Sequence, residues 1–188
     1  MLIYVHNLIV FSTTCVVSMG GVVSWLSGYF QNEKFVAVLG LDGAGKTALV
    51  HRLMYGETTE PLPTMGFYVH TALVNNTLMQ LADVCGQDSI RIIWLSLYHS
   101  ADGVIYVLDG MDKDRLPLAM SSLKQVMEYP AMENKPFLIL MNKHDENAVD
   151  VANLKHQING DRWRAFNVSV KTGDGIDEAM QWFESNLS

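Results

Sequence analysis

The first 32 residues of this chain contain no Asp, Glu, Lys or Arg, so all 20 acidic and 13 basic residues lie from Glu33 onward. The charged part carries a net charge of −7 and has no run of Lys or Arg. Proteins that bind nucleic acid by displacing phosphate counterions need such basic runs. We therefore expect no nucleic-acid partner.

Cysteine is also scarce. Cys15 and Cys85 are the only two, and they lie in different regions of the chain. This excludes a disulfide scaffold and is consistent with a reducing compartment. The 188 residues suffice for one domain with an appendage but not for two full domains. We expect one domain over residues 33–188, preceded by a separate apolar segment at 1–32.

The uncharged segment predicts a membrane-anchor helix. Residues 2–26 would form a helix of about 37 Å, at ~1.5 Å per residue, against a hydrocarbon core of roughly 30 Å. Trp25, Tyr29 and Phe30 follow, and aromatic rings favour the lipid-water boundary. An interfacial helix is the main alternative, although such helices usually carry Lys or Arg on the polar face. A signal peptide, which lacks its basic region here, and a buried core helix are further alternatives.

The rest of the chain alternates between two patterns. Short apolar runs that indicate buried strands lie at residues 35–40, 103–110, 136–143 and 165–170. Helical spacing occurs at residues 46–56, 115–129, 150–158 and 175–187. Asn75 and Asn76 separate two further strand patterns and predict a tight hairpin turn. We therefore expect an α/β domain with a mixed, mostly parallel six-stranded sheet, helices on both of its faces and one antiparallel edge.

A glycine-rich motif follows the first of these strands. Residues 40–47 have the sequence GLDGAGKT, which matches G-x-x-x-x-G-K-[ST] between a strand and a helix, the context that a phosphate-binding loop requires. The glycines let backbone N–H groups approach phosphate oxygens, Lys46 can reach the β- and γ-phosphates, and the Thr47 hydroxyl can bind Mg²⁺. A plain turn is the alternative. The residues expected to contact the nucleotide phosphates are Asp42, Gly43, Ala44, Gly45, Lys46 and Thr47.

A second motif, DVCGQ, occupies residues 83–87 at the end of another predicted strand. Asp83 is well placed for the magnesium shell, often through water, and the Gly86 amide can contact a γ-phosphate. Gln87 would then orient the attacking water. Taken alone, a D-x-x-G turn is common, so this interpretation depends on the phosphate-binding loop.

A third motif, NKHD at residues 142–145, ends the strand that begins at 136. The Asp145 carboxylate can accept hydrogen bonds from N1–H and N2–H₂ of guanine, a donor pair that adenine lacks. Asn142 would brace neighbouring loops, and the Lys143 stem would cover the face of the base. The three motifs together predict a guanine-nucleotide site at the carboxyl ends of the strands.

With these motifs, the chain from about Glu33 onward resembles the small GTPases, and among them the Arf and Arf-like (ADP-ribosylation factor) branch. PTMGF at residues 63–67 and SVKTGDGI at 169–176 add to the resemblance. It implies the small G domain of the P-loop NTPases, with GTP or GDP and Mg²⁺ as ligands. It also implies GTP hydrolysis, slow without an activating protein, with Gln87 and Lys46 as the catalytic residues.

The resemblance assigns further roles. Thr64 in switch I would join Thr47 and Asp83 at Mg²⁺ in the GTP state. Ser169, Val170 through its N–H, and Lys171 would surround the guanine. The interswitch hairpin, residues 67–83, would shift register between nucleotide states. Exchange factors, activating proteins and effectors would bind switch I, the interswitch and switch II, on the cytoplasmic side of a membrane.

Some positions depart from the family pattern. Leu2 stands where N-myristoylation needs glycine, which leaves the apolar segment as the anchor. Cys85 replaces a glycine in switch II, and its Cβ would stiffen the loop. Ala82 and Leu97 replace aromatic residues that bind effectors. The leading hypothesis is a membrane-anchored GTP/GDP switch that recruits effectors in membrane trafficking. The alternative is a non-catalytic, GTP-loaded interaction module that resembles the signal recognition particle receptor β subunit.

Overall fold

The computed structural model describes residues 3–5, 8–10, 33–57, 67–84, 92–144, 149, 151–154, 158 and 160–187. The strands are β1 (Ile3–Val5), β2 (Leu8–Val10), β3 (Glu33–Leu39), β4 (Phe67–Val74), β5 (Thr77–Val84), β6 (Gly103–Asp109), β7 (Phe137–Asn142) and β8 (Trp163–Asn167). The α-helices are α1 (Lys46–Tyr55), α2 (Ile92–Ser100), α3 (Leu116–Met127) and α4 (Ile176–Asn186), with 3₁₀ turns at Pro130–Met132 and Val151–Leu154.

Six strands form the main sheet in the order β4-β5-β3-β6-β7-β8. Strand β4 runs antiparallel to β5, and every other neighbouring pair is parallel. The expectation of a mixed, mostly parallel six-stranded sheet is confirmed. Because β3, β5, β6 and β7 are parallel, their carboxyl ends meet at one edge, which is where each of the three sequence motifs begins.

Both faces of the sheet are covered by helices. Successive side chains of a strand point to opposite faces, so a buried strand places apolar side chains in a core on each side of the sheet. Val36 and Val38 face a core closed by α1 and α4, whereas Ala37 and Leu39 face a core closed by α2 and α3. Helix α4 is amphipathic and buries Phe183 completely. The central strands β3, β6 and β7 are largely buried on both faces, as their near-continuous apolar sequences predict.

The hairpin between β4 and β5 turns where the sequence predicts it, with Asn75 at φ +50°. Asparagine tolerates this left-handed conformation better than most residues. The turn is tied to α4 by one carboxylate. Glu184 accepts hydrogen bonds from Asn75 Nδ2 at 2.9 Å, Asn76 N at 3.2 Å and Thr77 Oγ1 at 2.6 Å.

From Glu33 onward, the described structure differs most from the predicted elements at α2, at residues 150–158 and at β8. Helix α2 was not predicted, because it is apolar at most positions and lacks an amphipathic period. The helix predicted at 150–158 is only the 3₁₀ turn Val151–Leu154 among the described residues. Strand β8 begins at Trp163 and ends at Asn167, earlier than the pattern at 165–170 suggests.

The N-terminal prediction of a continuous helix over residues 2–26 is wrong where the structure describes it. Strands β1 and β2 pair antiparallel, with Ile3 opposite Val10. Their Ile, Val and Tyr residues favour extended backbone. Residues 11–32, which hold most of the predicted anchor, lie outside the described residues. No helix in the described part of the chain combines the length and apolar character that a membrane span needs.

Candidate functional site

The phosphate-binding motif forms the loop between β3 and α1. Gly40 has φ +140°, and a Cβ there would lie 2.3 Å from the carbonyl oxygen of Val107 on the neighbouring strand β6. Gly45 has φ +102° immediately before α1, and a Cβ there would lie 2.3 Å from Asn142 Nδ2. Both the backbone conformation and the close approach therefore require glycine at these two positions.

Lys46 is the first residue of α1, and its side chain folds back across the loop. Its Nζ donates hydrogen bonds to the carbonyl oxygens of Gly40 at 3.0 Å and Leu41 at 2.8 Å. The residue is only 6% exposed. A positive charge is thus held inside the loop at the N-terminus of a helix, where the helix dipole also favours an anion.

Asp83 reaches the same place from β5. The parallel register sets Asp83 opposite Val38, near the end of β3. The Thr47 hydroxyl donates a hydrogen bond to Asp83 Oδ2 at 2.6 Å, and the carboxylate is buried. Because the Thr47 O–H is directed at the carboxylate, the lone pairs of the hydroxyl oxygen remain available to bind a cation. A hydroxyl and a carboxylate are hard oxygen ligands, so this pair fits Mg²⁺.

Asn142 joins the phosphate loop to the loop after β8. Its Nδ2 donates to the carbonyl oxygen of Ala44 at 2.8 Å, and its Oδ1 accepts from Val170 N at 2.9 Å. The side chain is 3% exposed, so both hydrogen bonds are shielded from water. The predicted bracing role of Asn142 is therefore visible in its contacts.

Three other residues predicted to surround guanine already make hydrogen bonds within the protein. The Val170 N–H, which the resemblance directs at the base, is donated to Asn142. Lys143 has φ +61°, and its Nζ pairs with Asp109 Oδ2 at 2.6 Å. Ser169 Oγ accepts from Thr172 N at 3.2 Å, and Lys171 is exposed on the same loop. This side of the site is preformed by internal hydrogen bonds.

Sequence reasoning missed Arg115, which braces the exposed side of the phosphate loop. Its Nη1 lies 3.2 Å from both carboxylate oxygens of Asp42, and its Nε lies 2.5 Å from Asp112 Oδ2. These hydrogen bonds raise the pKa of Arg115 and lower that of Asp112. One signal in the sequence was available, because the charge-rich residues 112–115 closely follow a predicted strand.

Two histidines approach each other where the β4–β5 hairpin lies beside α1. His70 on β4 has a ring centroid 6.4 Å from that of His51 on α1. Burial lowers the pKa of His70, and the charge of His51 lowers it further, while Asp83 raises it. The neutral form of His70 is therefore favoured near neutral pH.

Several predicted residues lie outside the described part of the chain. They are Thr64 of switch I, Cys85, Gly86 and Gln87 of switch II, and Asp145 of the NKHD motif. The structure brings together the remaining predicted residues, which come from four strand ends and the start of α1. Those residues are Asp42, Gly43, Ala44, Gly45, Lys46, Thr47, Asp83, Asn142, Lys143, Ser169, Val170 and Lys171.

Comparison with known proteins identifies this arrangement. The profile described as "Arf: ADP-ribosylation factor family" matches residues 19–187. The chain belongs to the ADP-ribosylation factor (Arf) family. Members of this family are small GTPases that bind GTP and GDP, usually with Mg²⁺, and hydrolyse GTP to GDP, so this Arf-family chain is a GTP hydrolase.

Curated relatives extend over nearly the whole chain. The Arf-family chain is 34% identical to ADP-ribosylation factor-like protein 1 of Drosophila melanogaster over 176 residues, covering 90% of this chain and 98% of that protein. It is 35% identical to the protein of the same name from Caenorhabditis elegans, with the same coverage. It is 36% identical to ADP-ribosylation factor 3 of Arabidopsis thaliana, covering 86% of this chain and 92% of that protein.

The fold also matches a solved structure. The Arl6 BBS3 small GTPase from Trypanosoma brucei, solved with the bound nucleotide analogue GppNp, superposes with a TM-score of 0.72. The match covers 84% of this Arf-family chain and all of the other, at 23% sequence identity. At this identity the likeness establishes the shared fold only.

Proposed function

We propose that this Arf-family protein is a membrane-associated GTP/GDP switch that recruits effector proteins when GTP is bound. The observation that carries the proposal is the position of Asn142, whose two hydrogen bonds connect the phosphate loop to the predicted base-binding loop. One nucleotide can contact both loops at once, because they lie side by side at the carboxyl edge of the sheet.

The phosphates would lie in the loop from Asp42 to Thr47. Backbone N–H groups at the start of α1 would contact phosphate oxygens, and Lys46 would contribute the positive charge nearest to them. Thr47 and Asp83 would hold Mg²⁺, with Thr64 joining them in the GTP state. The ion would neutralise charge on the β- and γ-phosphate oxygens.

Hydrolysis requires water to attack the γ-phosphorus while the bond to the bridging oxygen breaks, which releases GDP and phosphate. Gln87 would orient that water, and the Gly86 N–H would fix the γ-phosphate. Lys46 would stabilise the negative charge that develops on the phosphate oxygens. Positioning and electrostatic stabilisation are the main contributions that a protein makes to this reaction.

The base would be bound by the NKHD and SVK loops. Asp145 would accept hydrogen bonds from N1–H and N2–H₂ of guanine, and adenine would leave that carboxylate unpaired. Lys143, Ser169, Val170 and Lys171 would close the remaining sides. The nucleotide preference of this chain is therefore expected to be GTP and GDP over ATP and ADP.

The partners would be an exchange factor, a GTPase-activating protein and effectors that contact the switches and interswitch hairpin. Ala82 and Leu97, which replace aromatic effector-binding residues, are buried here. The exposed side chains of Tyr68 and Val69 on the edge strand β4 offer a different apolar contact. Effectors of this protein are therefore expected to differ from those that need an aromatic residue at 82 or 97.

Attachment to a membrane would come from the apolar segment at residues 1–32, with the GTPase domain facing the cytoplasm. The segment has no charged residue to oppose burial in lipid. Flotation of the full chain with liposomes, compared with a chain that begins at Glu33, tests this part. We expect only the full chain to float.

Nucleotide analysis and single-turnover hydrolysis test the switch. Purified protein should contain GDP or GTP, and loaded GTP should decay to GDP with Mg²⁺ present. Gln87→Leu should retain nucleotide and lose stimulated turnover. GTP that co-purifies and does not decay, in wild type and variant alike, would instead favour the non-catalytic interaction module.

A further inference from the structure

Arg52 connects the phosphate-binding helix to the predicted base-binding loop. It lies in the last turn of α1, six residues after Lys46, a distance of about 9 Å along the helix axis at ~1.5 Å per residue. Lys46 and Thr47 occupy the phosphate end of this helix. The other end of α1, where Arg52 lies, contacts the loop at residues 169–173.

The guanidinium of Arg52 binds backbone carbonyl groups of that loop. Its Nε donates to the carbonyl oxygen of Val170, and its Nη2 donates to that of Lys171 at 2.7 Å. Its Nη1 lies 3.4 Å from the carbonyl oxygen of Gly56 at the end of the helix. A planar guanidinium with several donors can hold two successive peptide groups in one orientation, which a single ammonium cannot do.

Gly173 leaves the space that this arrangement needs. A Cβ at position 173 would lie 2.7 Å from Arg52 Nη1, and the glycine has φ +98°. Its N–H donates to the carbonyl oxygen of Ser169 at 2.7 Å, which closes the loop. Residues 170–173 of the loop are therefore arranged around the Arg52 guanidinium.

The bonds to Arg52 fix the direction of the loop N–H groups. The peptide bonds are trans, so the N–H of Lys171 points opposite to the carbonyl of Val170. With that carbonyl held by α1, the Lys171 N–H is directed away from the helix. On the other side, the Val170 N–H is held by Asn142 Oδ1 at 2.9 Å. Arg52 thus binds the carbonyl group of Val170 and Asn142 binds its N–H, and together they fix the orientation of this turn.

We propose that Arg52 is a positioning residue for guanine recognition, which fixes the peptide groups of Val170 and Lys171 so that the loop presents the Lys171 N–H to the oxygen at position 6 of the base. The proposal rests on the proposed function, because it assigns this loop to the base. Arg52 itself contacts neither base nor phosphate in this account. Its effect on binding passes through the loop backbone.

The test compares GDP with 6-thio-GDP, which carries sulfur in place of the oxygen at position 6. Sulfur is a larger and weaker hydrogen-bond acceptor, so a rigid loop should discriminate against it. We expect wild type to bind GDP more tightly. Arg52→Ala should weaken GDP binding roughly tenfold and bring the two affinities close together. Arg52→Lys, which keeps one charged donor, should restore part of the difference.

Arg164→Ala is the control, since that guanidinium lies on strand β8 and packs over the Phe166 ring at 5.3 Å. It should leave both affinities unchanged. Equal weakening of both nucleotides by Arg52→Ala, or no weakening, would overturn the positioning role. Wild-type affinities that do not differ would overturn it as well. Failure of wild type to bind either guanine nucleotide would instead refute the proposed function.

Discussion

The side-chain amide of Asn142 donates a hydrogen bond to the carbonyl oxygen of Ala44 over 2.8 Å, although 98 positions separate the two residues. Asn142 ends β7, and Ala44 lies in the phosphate loop. The contact is possible because Gly45 has no Cβ, which would lie 2.3 Å from the amide nitrogen. The spacing between the phosphate and base loops therefore depends on a glycine.

Gly45→Ala should displace Asn142 and weaken GDP binding by at least about tenfold, because a buried donor and acceptor lose their partners. Gly160→Ala is a matched control, since Gly160 has φ +103° and nothing within 4 Å of an added Cβ. Both variants carry the strain of a positive φ, about 1–3 kcal/mol. Titration calorimetry with GDP should show a loss for position 45 only, and equal losses would contradict the account.

The hydroxyl of Thr47 should be required for Mg²⁺ to slow the release of GDP. In wild type, chelation of Mg²⁺ should accelerate GDP release. Thr47→Val keeps the shape and removes the hydroxyl, so GDP release in the presence of Mg²⁺ should be at least about tenfold faster and insensitive to chelation. Thr77→Val is the control, because it also removes a hydroxyl that donates to a carboxylate at 2.6 Å. A Thr47→Val protein that still responds to chelation would exclude Thr47 as a metal ligand.

Much of the fold follows from local sequence pattern. Short apolar runs became β3, β6 and β7, and Asn75 with Asn76 became the hairpin turn, because burial and positive φ impose narrow residue choices. Helix α2 lacks such a signature. Its sequence, IIWLSLYHS, is apolar on most sides, so tertiary packing of Trp94 and Tyr98, rather than amphipathic spacing, determines that it is helical.

The site was predictable where a motif places residues within a few positions. The contacts of Lys46, Thr47 and Asn142 follow from glycine-rich and strand-end motifs. Arg52, Arg115 and Glu184 act on elements far away in sequence, and neither spacing nor composition reveals such pairings. Their roles follow from the order of strands in the sheet and the direction of each helix.

Glu184 should hold the tip of the interswitch hairpin against α4. Its carboxylate accepts three hydrogen bonds from the turn at residues 75–77. Glu184→Gln removes the charge and one acceptor, so amide exchange at the turn should increase roughly fivefold. Glu178→Gln, near the other end of the same helix, is the control. Hydrogen-deuterium exchange of residues 67–84 that is equal in both variants would show that Glu184 does not hold the turn.

His70 should make the protein less stable in mild acid. The pKa of His70 in the folded protein is below its ordinary value of 6.5. As the pH falls through that value, the unfolded chain therefore binds more protons than the folded protein does. The free energy of unfolding should therefore decrease on the acid side. Urea denaturation at about pH 7.5 and about pH 5.5 should show a smaller decrease for His70→Gln than for wild type. His99→Gln, at an exposed position, is the control, and an unchanged pH dependence in His70→Gln would contradict the assignment.

Titration calorimetry of nucleotide-free protein tests the central claim most directly, which is that the phosphate loop and the NKHD loop together enclose a guanine nucleotide with its metal. GDP with Mg²⁺ should bind tightly, and ADP with Mg²⁺ should give no measurable heat. Asp145→Asn should shift the preference from GDP toward xanthosine diphosphate, which presents an oxygen where guanine has N2–H₂. Equal binding of ADP and GDP by wild type, or no binding of GDP, would contradict the account.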